Sequence, residues 1–97
     1  MNVRVTKRAQ AQIDRAAVWS DENRDRAPEA FDEDLAEAFL LLSAEPGVGA
    51  PALRTHAHGV RRLHLARIRY QLYYRISGDQ VAVLGLWHAR RGGGPPL

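Results

Sequence analysis

The chain has 97 residues, 45% hydrophobic and 26% charged, which is the composition of one globular domain with a single modest core. It contains no cysteine, which excludes a disulfide framework, a thiolate metal site and a cysteine nucleophile and suits a cytoplasmic setting. The net charge of +3 conceals a sorting: residues 1–50 carry six basic and ten acidic side chains, net −4, and residues 51–97 carry eight basic and one acidic, net +7.

Thirteen of the fourteen basic residues are arginine, Lys7 being the only lysine. Guanidinium forks pair bidentately with phosphate and carboxylate, so the basic second half points to an anionic partner, either nucleic acid or an acidic protein segment. The first residues, Met1–Thr6, lack the apolar run of a secretory leader. No stretch approaches the ~20 apolar residues of a membrane span, so no membrane partner is expected.

In chain order, Val3 and Val5 alternate with Asn2 and Arg4, which predicts a short strand over residues 1–5. Thr6 is a good N-cap for a helix from about Lys7 to about Asp21, with an apolar stripe of Ala9, Ile13, Ala16 and Trp19. Residues 23–26 form a polar connection. Pro28 suits the first turn of a second helix, whose stripe is Phe31, Leu35, Ala38, Phe39 and Leu42. Glu29, Asp32, Glu33 and Asp34 crowd its N-terminal turns, where the helix dipole favours them. Pro46 and Gly47 end it near Ala44. Residues 46–59 hold three of the eight glycines and two of the five prolines, so they read as a loop with one extended piece near Ala52–Leu53.

From Val60 the period changes to two, which predicts strands over Val60–Leu65, Ile68–Ser77 and Gln80–His88, with Gly78-Asp79 as a tight turn between the last two. Residues 92–97 read as a flexible or extended tail. The expected fold is therefore α+β, in one domain spanning 1–97: a short N-terminal strand, a helical hairpin, then a three-stranded antiparallel meander. They form one twisted sheet with the helices on one face.

A two-residue turn at Gly78-Asp79 fixes a register. Ile76 then pairs with Val81, Tyr74 with Val83, Leu72 with Gly85 and Tyr70 with Trp87 on the helix face. Arg75 with Ala82, Tyr73 with Leu84, Gln71 with Leu86 and Arg69 with His88 fall on the other, and Arg67 and Arg90 lie just beyond. That second face is basic at one end and apolar in the middle. Either a protein partner covers the Tyr73–Leu84–Leu86 strip or the loop of residues 46–59 does.

The run Gly59-Val60-Arg61-Arg62-Leu63, then Ala66-Arg67-Ile68-Arg69-Tyr70-Gln71-Leu72-Tyr73-Tyr74-Arg75-Ile76, Gly78-Asp79-Gln80-Val81 and Trp87-His88-Ala89-Arg90-Arg91 resembles the RelE/ParE toxin superfamily. The likeness covers nearly the whole chain. It implies a toxin of a type II toxin–antitoxin module, bound by a cognate antitoxin in a hetero-oligomer. ParE-like members poison DNA gyrase, whereas RelE-like members cleave messenger RNA on the ribosome. A non-toxic, antitoxin-binding member is the third possibility. Fold alone does not separate these activities.

A nuclease needs a base for the ribose 2′-OH, positive charge at the phosphorane and an acid for the leaving oxygen. The candidates are His88, Arg69, Arg67, Arg61 and Tyr73. The chain departs from the nuclease pattern: Tyr70 stands near the expected arginine, no lysine cluster precedes the meander, and no tyrosine follows His88. The ParE-like reading is therefore favoured, with Arg67, Arg69, Tyr73, Arg75, Leu84, Leu86, His88, Arg90 and Arg91 as a binding surface for antitoxin or target. His88 has a structural alternative, as a strand end bonded to backbone or stacked on Arg69. Tyr70, Tyr74 and Trp87 read as core or core-rim aromatics. His56-x-His58, with His64 nearby, lacks further ligands at metal-site spacing, so neither a metal nor another cofactor is expected.

Overall fold

The computed structural model describes residues 1–23, 29–52, 57–91 and 94–97. The elements are β1 (Asn2–Val5), α1 (Lys7–Glu22), α2 (Ala30–Ala44), β2 (Ala50–Pro51), β3 (Val60–Leu65), β4 (Tyr70–Ser77) and β5 (Gln80–His88). The α+β class, the two helices and the β3–β4–β5 meander agree with the sequence reading. The sheet, however, has five strands in the order β1-β5-β4-β3-β2.

Two strands account for the difference. Ala50–Pro51 pairs antiparallel with Arg61–Arg62, so the extended piece lies just before the predicted Ala52–Leu53, and Leu53 itself is outside the described residues. β1 joins the opposite edge and pairs with β5 in parallel, Val3 with Val81 and Val5 with Val83. The sheet is thus mixed rather than wholly antiparallel. A parallel pair needs a long crossover, and here the helical hairpin and the meander together supply it.

The helices follow local chemistry. Thr6 caps α1, its Oγ1 accepting from the Ala9 N–H at 3.2 Å. Ala9, Gln12, Ile13 and Ala16 are buried, but Trp19, expected on the same stripe, is 54% exposed. Helix α2 starts with Asp32 and Glu33 in its first turn and buries Ala30, Phe31, Leu35, Ala38 and Leu42. Pro28, the predicted first-turn residue, lies outside the described residues. Both helices pack on the sheet face that carries Leu72, Tyr74, Val81 and Val83, all of them fully buried.

The loop after α2 is bolted to that face: the Gly49 N–H donates to Tyr74 Oη at 2.8 Å, and Arg61 Nη1 donates to the Gly49 carbonyl at 2.6 Å. Gly49 must be glycine because a Cβ there would lie 2.7 Å from Tyr74 Oη.

The β4–β5 register begins as expected, with Ser77 opposite Gln80, Ile76 opposite Val81 and Tyr74 opposite Val83. It then slips by one residue, so that Tyr73 faces Gly85, Leu72 faces Leu86, Gln71 faces Trp87 and Tyr70 faces His88. A bulge at Leu84-Gly85 sets two residues of β5 against one of β4. Its effect is to exchange the faces of everything beyond it. Leu86, expected on the second face, is 3% exposed in the core. His88 moves to the Tyr70 side and Trp87 leaves it.

The bulge is held from α1. Gln12 Oε1 accepts the Leu86 N–H at 2.9 Å, and a Cβ on Gly85 would lie 2.9 Å from that same oxygen. Replacing Gln12 with leucine keeps the volume and removes the acceptor, leaving a buried N–H unpaired. The expected loss is about 1–3 kcal/mol of unfolding free energy, read as a lower urea midpoint at unchanged m-value. An unaltered midpoint would show that the bond carries no stability.

Candidate functional site

Among the described residues, the arginines of the basic half do not gather into one cluster. Arg67 sits in the turn between β3 and β4 and reaches across to α2. Its Nε donates to Asp34 Oδ1 at 3.0 Å and its Nη2 to Glu33 Oε1 at 3.1 Å. These bonds raise the guanidinium pKa further, with Asp34 contributing most. Arg67 is therefore not a free phosphate clamp on the second face, because Asp34 and Glu33 near the start of α2 claim it. Arg61 is likewise occupied by the carbonyls of the loop at Gly47 and Gly49.

Arg69 does not lie in β4 opposite His88, as expected. The strand starts at Tyr70, and Arg69 ends the turn in the left-handed region, with φ 61°. For a residue with a Cβ that region costs on the order of 1–2 kcal/mol. Two backbone bonds hold the conformation: the Arg69 N–H donates to the Leu65 carbonyl, and the Arg69 carbonyl accepts from the Ala89 N–H, both at 2.8 Å. The exposed guanidinium is thereby set beside the end of β5.

His88 belongs to a run of edge-to-face rings. Trp19 of α1 meets it at 6.3 Å between centroids, and Tyr70 of β4 at 5.1 Å. Tyr70 in turn meets Phe31 of α2 at 5.8 Å. Such pairs favour this geometry because a ring edge is positive and a ring face negative. The run ties both helices to the end of the sheet. Burial raises the Tyr70 phenol above its ordinary pKa.

The His88 pKa is lowered, first by burial and then by the positive charges of Arg90 and Arg69. Its Nδ1 accepts the Arg90 N–H at 3.1 Å, which leaves the proton of the neutral ring on Nε2. The expected pairing of His88 with Arg69 across the sheet is thus replaced by Tyr70 opposite His88, with Arg69 acting through its charge.

Trp87, predicted on the core side opposite Tyr70, faces Gln71 instead because of the bulge. Its Nε1–H donates to the Arg91 carbonyl at 3.1 Å, and the Arg91 guanidinium stacks 3.9 Å over its ring. Arg90 and Arg91 are exposed. Arg75 and Arg62 lie on the second face opposite Ala82 and Tyr73, Arg75 half-buried and Arg62 exposed.

The predicted apolar strip is not an open surface. Leu84 is half-buried at the bulge, Leu86 is in the core, and Tyr73 is only 7% exposed. The C-terminal segment passes over Tyr73. A Cβ on Gly94 would sit 3.5 Å from Tyr73 Oη, Pro95 and Leu97 flank Gly85, and the Pro96 carbonyl accepts from Arg8 Nη1 at 2.7 Å. His56 lies outside the described residues. Among those that are described, no group of three or more His, Cys, Asp or Glu is placed to hold a metal ion, and no helix is long and apolar enough to cross a membrane.

Three residues near His88 escaped the sequence reading. Trp19 was assigned to the core stripe, although its place near the helix end, one turn beyond Ala16, is where such a stripe runs out. Gln12 and Arg15 carry no signal in periodicity, since only the packing of α1 on β5 brings them to the site. Gly85 was a legible signal: a glycine inside a strand pattern marks a bulge.

An open mixed sheet, a helical hairpin on one face, and a basic sheet end around a Trp-His-Ala-Arg-Arg run are the features of the RelE/ParE superfamily of small toxins. Within it, the model for "ParE toxin of type II toxin-antitoxin system, parDE" matches residues 3–92, and the chain belongs to that family. Solved structures agree in fold. A chain of the chromosomal ParDE TA system from P. aeruginosa superposes with a TM-score of 0.72 at 24% identity, over 93% of this chain and 97% of that one. The solution structure of the conserved hypothetical protein HP0894 from Helicobacter pylori gives 0.56 at 20% identity, over 90% and 92%. No curated protein matches the chain significantly.

The lowered pKa of His88 has a measurable sign. Its folded value lies below the unfolded value near 6.5, so its contribution to stability is complete above about pH 6.5. It is lost as pH falls through the folded value. An NMR titration of the His88 ring is expected to give a midpoint below 6.5. Arg90→Gln should move it upward without restoring it fully, because burial remains. A midpoint at or above 6.5 in the unaltered chain would refute this environment.

Proposed function

We propose that the chain is the toxin of a type II toxin–antitoxin module, that it arrests growth in the cytoplasm by binding DNA gyrase, and that a cognate antitoxin silences it. Family membership supports the toxin reading. The similar P. aeruginosa chain belongs to a ParDE system, which supports an antitoxin partner.

One observation favours binding over cleavage: the candidate nuclease groups are dispersed. Arg67 is engaged by Asp34 and Glu33, Arg61 by loop carbonyls, and Tyr73 lies beneath the C-terminal segment. His88 stands on the helix side of the sheet without a hydrogen-bonded proton carrier among the described residues. General acid–base cleavage needs two such groups on one phosphodiester. What remains accessible is charge: Arg62, Arg69, Arg90 and Arg91 are exposed, and among the described residues none of them has a carboxylate partner. An acidic or amphipathic antitoxin segment would complement that surface.

The test is to purify the chain with and without its antitoxin, then assay gyrase supercoiling and cleavage of ribosome-bound message. Supercoiling is expected to stop and message to stay intact. Arg69→Glu combined with Arg90→Glu should weaken inhibition at least ~10-fold through lost charge complementarity. Arg67→Ala should change it little, because that guanidinium is already engaged. Message cleavage that disappears in His88→Ala would instead establish the RelE-like ribonuclease reading. Unimpaired growth on expression without antitoxin would leave an antitoxin-binding member without toxicity.

A further inference from the structure

A cleft of about 250 Å³ opens between the second half of α1 and the ends of β4 and β5. Tyr70, His88 and Trp19 give it aromatic walls on the helix side, and Trp87, turned to the other face, also borders it. Trp19 stands 54% exposed, so much of its indole is free to meet a ligand. The polar groups are donors and cations. Arg15 enters from α1 and Arg91 from beyond β5, and among the described residues neither is paired with a carboxylate.

Gln12 adds an independent sign. Its side chain is 8% exposed and lines the cleft. Its Oε1 is taken by the Leu86 N–H, while its Nε2 has no acceptor among the described residues. No acidic side chain lines the cleft, so that donor is free for an acceptor on a ligand. Aromatic walls, a free amide donor and two guanidinium groups without a carboxylate partner among the described residues together suit a flat, acceptor-rich anion.

We propose that this cleft binds a single nucleotide, with its base against Trp19 and His88 and its phosphate between Arg15 and Arg91. At about 250 Å³ the cleft lies just below the usual ~300–1,000 Å³ range of small-molecule sites, so it takes no more than one nucleotide. The base–aromatic contact needs no particular sequence, because every base has a π-face. Burial and the neighbouring arginines hold the His88 ring neutral, so it adds a stacking surface and an Nε2–H donor without further charge. This inference does not rest on gyrase as the target. A chain that binds nucleotide and leaves gyrase untouched would keep it.

The chain carries its own probe, since its two tryptophans, Trp19 and Trp87, both line the cleft. The full chain is titrated at low salt with AMP, GMP, CMP and UMP, and separately with inorganic phosphate, followed by tryptophan emission and calorimetry. At least one nucleotide is expected to give a saturable response, with phosphate alone binding at least ~10-fold more weakly because it lacks the stacked base. Trp19→Ala, at an exposed position, should fold with unchanged circular dichroism and bind at least ~5-fold more weakly, the low end of what base stacking contributes. Arg15→Gln and Arg91→Gln should each weaken binding and flatten its salt dependence. The proposal is overturned if no nucleotide binds, if Trp19→Ala folds and binds as tightly as before, or if only an Asp/Glu-rich peptide saturates the response.

Discussion

The hydrogen bond from the Leu86 N–H to Gln12 Oε1 governs the working end of this molecule. β5 has β1 beside it only as far as Val83, after which the Thr6 N–H closes on the Val83 carbonyl and β1 gives way to helix. The backbone beyond that point faces α1 instead of a strand, and its polar groups need partners all the same. A glutamine on α1 supplies the acceptor, and a glycine at position 85 lets it approach. The bulge at Leu84-Gly85 is the local form that satisfies both the β4 ladder and this side-chain partner.

From that bond follows the placement of everything after it. One extra residue turns Leu86 into the core, His88 onto the helix side and Trp87 off it. His88 then completes the aromatic run between Trp19 and Tyr70, and the cleft forms where α1 stands off from the strand ends. The site is an outcome of how β5 is finished beyond the end of β1, which is why it lies at the sheet end rather than in the middle of the open face.

The charge sorting along the chain acquires a different meaning once folded. The acidic half does not simply stand apart from the basic half, because Glu33 and Asp34 near the start of α2 take Arg67 back into the structure. These are exposed bonds, so they contribute little stability, but they decide which arginines remain free. The arginines that face outward are set by turn geometry, as at Arg69, or by position beyond the last strand, as at Arg90 and Arg91.

The sequence by itself determined the elements and most of their limits. Thr6 as a cap, the Phe31–Leu42 stripe, the Pro46 stop, the change of period at Val60 and the Gly78-Asp79 turn are local signals, because backbone dihedrals and side-chain periodicity are local physics. It also carried the family resemblance and the arginine content. The parallel seating of β1, the capture of Arg67 by α2 and the grouping of Gln12, Arg15 and Trp19 with His88 were decided only by tertiary structure. Each joins residues far apart in the chain, and no period connects them. The bulge stands between the two kinds. Gly85 announced that the strand would be irregular, but the face of every later residue depended on an acceptor 74 positions away.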